Sequence, residues 1–488
     1  MGGESRVNLE CRTNGILHSD SLEYLRRFGN PFGSSLLFES RLGDLGYDKK
    51  SVVIPNSVLR IVGKNDRFKI EALTELGAEL IRNFSESDFY YTSSLKISKF
   101  SIKGKIRNED TCDIEESERI KNVNTGDVLR TIINKFSCDD DHFGLYGAFA
   151  YDFSRNFLNF GSKFRNSPGT DFEFHLPLNI LYFDDSRRNA QHKQFVVNGK
   201  TEKLTEPKNP PNFLKEDFVR YSDMTDEGYK QIGRNILEDI DNGRLMQCVL
   251  SRLIGVSLQK SPIDSYEALR EINPSPYSYF LNFGDEEYLY GASPEMQVRV
   301  IDGKIEVRPL AGTIRRSDNP MDDYKARRFL MTDEKELREH TMLADLSRRD
   351  IYRLCHPNSV QEELFLIEKH PNLYHIASII NGDMRPEFDS IDAILTTLPA
   401  GTLIGSPREE AMKIIEGYEK SRRNYYGGAA GFLGMNGNCD LGIVIRSVYV
   451  NNGLSQLRFG SGITSLSDLE KELDELKLKV ENTLRVVR

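Results

Sequence analysis

The segment Tyr277-Ser278-Tyr279-Phe280-Leu281-Asn282-Phe283-Gly284-Asp285-Glu286-Glu287-Tyr288-Leu289-Tyr290 decides the fold class. Aromatic and aliphatic side chains fill both arms, and they suit a pleated, half-buried surface. Gly284-Asp285 between them supplies residues that tolerate the positive φ of a tight turn. The segment reads as an antiparallel hairpin, with strands at Tyr277–Phe283 and Tyr288–Tyr290. Outward from it, strands are predicted at Glu306–Leu310 and Gly442–Val450. Upstream, further strands are predicted at Ser35–Ser40, Ser51–Ile54, Val58–Val62 and His142–Tyr151, the last with glycines suited to close backbone approach. Apolar residues at helical spacing predict helices at Glu71–Phe84, Asp333–Leu354, Ser390–Thr397, Arg408–Tyr418 and Leu469–Val487. Strands and helices do not alternate in a βα rhythm. The expected class is therefore α+β, with antiparallel β-sheets stacked in a sandwich and helices packed on the outer faces.

The 488 residues suffice for one large or two medium domains. Hydrophobic residues make up 39% and charged residues 28%, a balance that excludes a disordered chain. A formal net charge of −9 argues against nucleic acid or an anionic membrane as partner, but leaves room for a small basic pocket. No stretch approaches the roughly 20 apolar residues of a spanning helix. The start, Met1-Gly2-Gly3-Glu4-Ser5-Arg6, does not read as a signal peptide. Cys11, Cys112, Cys138, Cys248, Cys355 and Cys439 are scattered, without metal-ligand spacing, and read as reduced thiols of a cytoplasmic protein. The polar run Asp184–Asn189 and the segment Pro207–Pro211 suggest a linker or excursion. Chemistry-bearing motifs concentrate after about residue 226, which divides the chain into regions 1–225 and 226–488.

Two acidic helices stand out. Glu336, Glu339 and His340 share one helical face, as do Glu472, Glu475 and Lys479. Such carboxylates could hold a hard divalent cation and His340 could handle a proton, although the same spacing also fits solvated charged faces. Glycine-rich turns at Ala311-Gly312-Thr313, Pro399–Thr402, Tyr426–Gly431 and Gly460-Ser461-Gly462 let backbone N–H groups approach an anion; they also fit ordinary turns. None matches a nucleotide-phosphate motif. Arg446, following Gly442-Ile443-Val444-Ile445, is a cation in an apolar strand, where burial calls for a carboxylate partner; it also fits a strand end reaching solvent.

In order along the chain, several motifs resemble those of the chorismate-utilising enzymes. They are Met246–Arg252, Asn273-Pro274-Ser275-Pro276-Tyr277, Gly291-Ala292-Ser293-Pro294-Glu295, Arg308–Thr313, the Asp333–Asp345 helix, His375-Ile376-Ala377-Ser378, Pro399–Pro407, Tyr426–Gly431, Ile445-Arg446-Ser447 and Gly460–Ile463. The resemblance covers roughly residues 226–488. Gln247 stands where water-using members carry a Lys base, and Ala311 where para-aminating members carry a nucleophilic Lys. The resemblance thus implies ortho-amination of chorismate, as in the anthranilate synthases, the first step of tryptophan biosynthesis. Aminodeoxyisochorismate or aminodeoxychorismate synthesis is the alternative.

That likeness implies a site. Glu295 would be the general acid, with His340 near the C4 oxygen and Gln247 and Thr313 beside the reacting groups. Tyr426, Arg446, Gly460, Gly462, Lys479, Gly312 and Thr402 would hold substrate. Glu339 and Glu475 would ligate Mg²⁺, supported through water by Glu336 and Glu472. Region 1–225 resembles component I of the anthranilate synthases through Leu36-Leu37-Phe38-Glu39-Ser40. This implies a tryptophan feedback site at Glu39 and Ser40, facing Asn273, Pro274, Tyr277 and Ser278, and partner docking. The chain shows no Gly-x-Cys-x-Gly glutaminase turn, so a separate glutamine amidotransferase subunit and a hetero-oligomer are expected.

Overall fold

The computed structural model describes residues 6–42, 48–107, 119–158, 161–207, 217–370 and 373–488; Cys112 and most of the Pro-rich segment lie outside them. Two large antiparallel sheets carry the fold, one of 13 strands and one of 12. The expected α+β class holds. The hairpin that decided it forms as Tyr277–Gly284 and Glu287–Ser293, with a register shift at Asn282/Gly284 and positive φ at Gly284, Asp285 and Glu286. It lies inside the 12-stranded sheet, between strands Ser35–Glu39 and Ser447–Asn451.

The regions before and after residue 225 share both sheets. In the 12-stranded sheet, Glu39 pairs with Ser278. In the 13-stranded sheet, Gly147 pairs with Gly431. Gly147 has no substitute at that crossing, because a Cβ there would stand 2.1 Å from the Glu173 carbonyl oxygen.

Helices cover the sheets by their apolar stripes. Along Leu469–Val487, the buried residues Leu473, Leu476, Val480, Leu484 and Val487 recur every three or four positions and face strand Leu454–Thr464. Each contributes about 2 kcal/mol by leaving water. The helix Glu334–Leu354 starts where Asp333 caps the Glu336 N–H at 3.1 Å. Ser390–Thr397 is buried throughout, and its Thr396 and Thr397 hydroxyls donate back to the Asp392 and Ala393 carbonyls. Among the described residues, no helix is long and apolar enough to cross a membrane.

Four sequence expectations need correction. The strand expected over Glu306–Leu310 is interrupted at Arg308-Pro309, between Lys304–Val307 and Leu310–Arg315. Gly442–Val450 is not one strand: Cys439–Ile443 belongs to the 13-stranded sheet and Ser447–Asn451 to the 12-stranded sheet. The chain changes sheets between them, and Arg446 takes φ +50° to do so. Asp184–Asn189 is a hairpin turn between strands Asn179–Asp184 and Asn189–Val196, not a linker. The helix expected over Glu71–Phe84 spans only Glu75–Ile81, because Glu71 and Ala72 are taken by a strand and Thr74 caps the helix.

Candidate active site

Two chain crossings between the sheets build the centre of the site. Glu295 sits where Glu287–Ser293 of one sheet gives way to Met296–Ile301 of the other. Arg446 sits at the corresponding crossing described above. The crossings are bonded to each other: Ile443 N–H donates to the Glu295 carbonyl at 3.0 Å, and Ala292 N–H to the Arg446 carbonyl at 3.4 Å. A residue at such a crossing lies between two packed sheets, which explains why both side chains are enclosed.

Enclosure sets their chemistry. Burial pushes the Glu295 carboxyl up to about 8, only partly offset by Thr402, by the Leu310 N–H at 3.4 Å and by the Arg446 charge. At neutral pH Glu295 therefore carries a proton. The Thr402 hydroxyl is buried beside it without a partner in full hydrogen-bond geometry. Arg446 is left without a carboxylate at ion-pair distance among the described residues; its one hydrogen bond is to Asn273 Oδ1 at 3.4 Å. Burial lowers its pKa, with Glu295 opposing. A half-buried guanidinium facing a neutral acid is a site prepared for an anion.

His375 completes this side. Its Nδ1 lies 2.9 Å from Thr313 Oγ1 and 3.1 Å from the Gly312 carbonyl. A carbonyl only accepts, so Nδ1 carries the proton and Nε2 a lone pair. Nε2 is buried without a partner. Burial, then the charges of Arg446 and His370, hold the ring down to about 3, so it is neutral. Sequence reasoning missed His375 as a reacting group. Its signal was a histidine within an apolar strand, Tyr374-His375-Ile376, the same pattern that singled out Arg446.

The other side is acidic. Helix Glu334–Leu354 presents Glu336 and Glu339, and helix Leu469–Val487 presents Glu472 and Glu475. Gln247 Nε2 donates to Glu339 Oε1 at 3.0 Å, Ser467 Oγ to Glu472 Oε1 at 3.0 Å, and Lys335 Nζ stands 3.8 Å from Glu472. The Glu336 carboxyl is pushed above its usual range by burial and then by Glu339; that of Glu339 by burial, with Glu472 and Glu475 adding to it. Among the described residues, no three His, Cys, Asp or Glu side chains form a metal site by themselves. Oxygen donors that raise one another's pKa nonetheless fit a hard divalent cation completed by substrate and water.

Strand Gln247–Ser257 pairs with Leu454–Thr464 and lines the floor. Gly460 lies beside the Tyr426 hydroxyl. Gly462 lies so close to Gln247 that a Cβ would stand 2.5 Å from Nε2. Burial pushes the Tyr426 hydroxyl up to about 12, so it stays protonated.

Two expected residues are placed differently. His340 does not face the cleft. It is fully buried, its Nε2 lies 2.6 Å from Ser378 Oγ, its Nδ1 has no partner, and its ring packs edge-on to Phe365. Being one position beyond Glu339 turns it about 100° around the helix, into the sheet. Lys479 is not free for substrate, since it pairs with Glu475 at 2.7 Å. That pair is half exposed and held weakly, so an incoming carboxylate can compete for it.

Glu39, Ser40 and the Asn273–Ser278 loop lie together. Arg41 N–H donates to the Ser275 carbonyl at 3.1 Å. Glu39 is buried and accepts from Ser21, Arg270 and Tyr266, whereas the Ser40 hydroxyl is buried without a partner. Ser278 reaches only the Ser275 carbonyl, at 3.5 Å, and Tyr277 donates to Asp440 at 2.8 Å. Pro274 follows Asn273, which bridges this loop to Arg446.

Comparison with known proteins gives concordant results. Residues 88–485 match the model of the chorismate binding enzymes. Anthranilate synthase component 1 of Vibrio parahaemolyticus is 31% identical over 481 residues, covering 93% of this chain and 88% of that protein. Anthranilate synthase component I of Streptococcus pneumoniae superposes with a TM-score of 0.71 at 25% identity, over 97% of this chain and 99% of that one. The menaquinone-specific isochorismate synthase of Escherichia coli shares the fold, with a TM-score of 0.66 at 16% identity over 99% and 96% of the two chains.

Proposed function

This chain belongs to the chorismate binding enzyme family, and we propose that within it the chain is the aminating subunit of an anthranilate synthase. It joins ammonia to chorismate and yields anthranilate, pyruvate and water. One observation carries the reading: a protonated Glu295 and a neutral His375 with a bare Nε2 flank the unpaired Arg446. Arg446 and Tyr426 take a substrate carboxylate. Ammonia attacks C2 as the C4–O bond breaks, and Glu295 gives its proton to the leaving hydroxyl, which departs as water. His375 then takes the C2 proton as the C3–O bond breaks, and the enolpyruvyl group leaves to become pyruvate. The runner-up, release of the aminated ring before pyruvate is lost, gives the free Nε2 of His375 no proton to take.

Gln247 supports ammonia over water as nucleophile, since an amide bonded to Glu339 cannot act as a base. Glu339 and Glu475 would hold Mg²⁺, with Glu336 and Glu472 supporting through water; when bound, the ion neutralises a substrate carboxylate and the acidic cluster. Ammonia would come from a glutamine amidotransferase subunit, in keeping with relatives named as a first component. The partnerless Ser40 hydroxyl supports tryptophan feedback at that loop, and Asn273 would carry the effect to Arg446. The test is Glu295→Gln with chorismate, Mg²⁺ and ammonium. A fall in kcat of about 10²–10⁴ at unchanged substrate affinity supports the acid, and an unchanged kcat removes it.

A further inference from the structure

A second cavity, of about 360 Å³, shares no residue with the site above. Its volume falls within the range of small-molecule sites. Deep in it, charges are already matched. Arg422 bonds to Asp152 and Asp171, and Arg155 bonds to Asp152 at 2.7 Å. What remains unmatched is specific. Arg107 and Arg165 line the cavity, are exposed, and make no side-chain ion pair among the described residues. Thr125, also lining it, is 1% exposed, yet its hydroxyl has no partner. Leaving such a group unbonded costs about 1–3 kcal/mol. The side-chain oxygens of Asn65 and Asn156 accept no hydrogen bond among the described residues, although both amide nitrogens donate, at 3.2 and 2.9 Å.

We propose that this cavity binds a small hydroxylated anion. Its carboxylate or phosphate is held by Arg107 and Arg165, and its hydroxyls by Thr125, Asn65 and Asn156. Two unpaired guanidinium groups select negative charge. A free hydroxyl with two free amide oxygens selects groups that both donate and accept. An uncharged polyol leaves the arginines unmatched. The inference does not depend on the reaction assigned to the other site.

Titration calorimetry on the full chain tests it, with glycerol 3-phosphate and citrate as separate probes and glycerol as control. Saturable one-site binding of at least one anion, with none of glycerol, is expected; the tighter anion identifies the source as phosphate or carboxylate. The double variant Arg107→Ser/Arg165→Ser weakens binding about tenfold or more. Both side chains are exposed, and the Arg165 carbonyl that bonds Asn65 is retained, so the fold is kept. Thr125→Val weakens binding without lowering the melting temperature. Failure of both anions to bind, or binding that the double variant leaves unchanged, overturns the proposal.

Discussion

Replacing Glu295 by Gln should make the protein more stable and far less active, and the gain should grow with pH. Glu295 is 6% exposed and titrates near 8, against an ordinary value of 4.5. Between these values the native state holds a proton that the unfolded chain has lost. The native state then binds more protons, so stability falls as pH rises from 4.5 toward 8. Each pH step costs about 1.36 kcal/mol, which makes the burden at pH 7 about 3 kcal/mol. Glutamine keeps a side-chain oxygen for the Leu310 N–H and the Thr402 hydroxyl, and it ionises in neither state. Urea unfolding of both proteins between about pH 5 and pH 8 measures the difference; circular dichroism is the probe because the chain has no Trp. The variant's advantage should be slight at the acid end and reach about 3 kcal/mol at pH 7, while turnover drops. An advantage that shrinks with rising pH, or is absent at pH 8, refutes the assignment of a buried, protonated Glu295.

His375→Ala should slow turnover by about 10²–10⁴, and mass analysis should find an aminated ring retaining its enolpyruvyl group; anthranilate at the normal rate would contradict the base. Arg446→Gln should raise the KM for chorismate by about tenfold or more. Because the Arg446 charge lowers the Glu295 pKa, the variant's residual activity should persist to higher pH, and an unshifted alkaline limb would exclude their coupling. Chelation should abolish turnover and added Mg²⁺ restore it. Glu339→Gln and Glu475→Gln should each need about tenfold or more Mg²⁺ for half-maximal rate, and an unchanged requirement in both would remove the metal from this cluster.

The fold class was legible because hydrophobic patterning is local. The Tyr277–Tyr290 hairpin and the helices at Ser390–Thr397, Arg408–Tyr418 and Leu469–Val487 form where periodicity places them. What periodicity does not carry is the sheet to which a strand belongs. Gly442–Val450 is apolar apart from Arg446 and Ser447, yet it divides at Arg446 because its halves pair with different partners. The candidate site follows the same division. Glu336 and Glu339 were readable from helical spacing, and Glu295 and Arg446 from their motifs. His340 and His375 could not be ranked by spacing: each is buried with one ring nitrogen bonded and the other bare, and only tertiary packing sets His375 beside Arg446. The cavity lined by Arg107, Thr125 and Arg165 joins residues far apart in sequence, and no local pattern announces it.

The most direct measurement is product analysis of the purified chain with chorismate, Mg²⁺ and ammonium at alkaline pH, following anthranilate fluorescence and confirming mass. Anthranilate and pyruvate in equal amounts are expected. Isochorismate, an aminated product still bearing its enolpyruvyl group, or no conversion even after a glutamine amidotransferase partner is added would contradict the assignment.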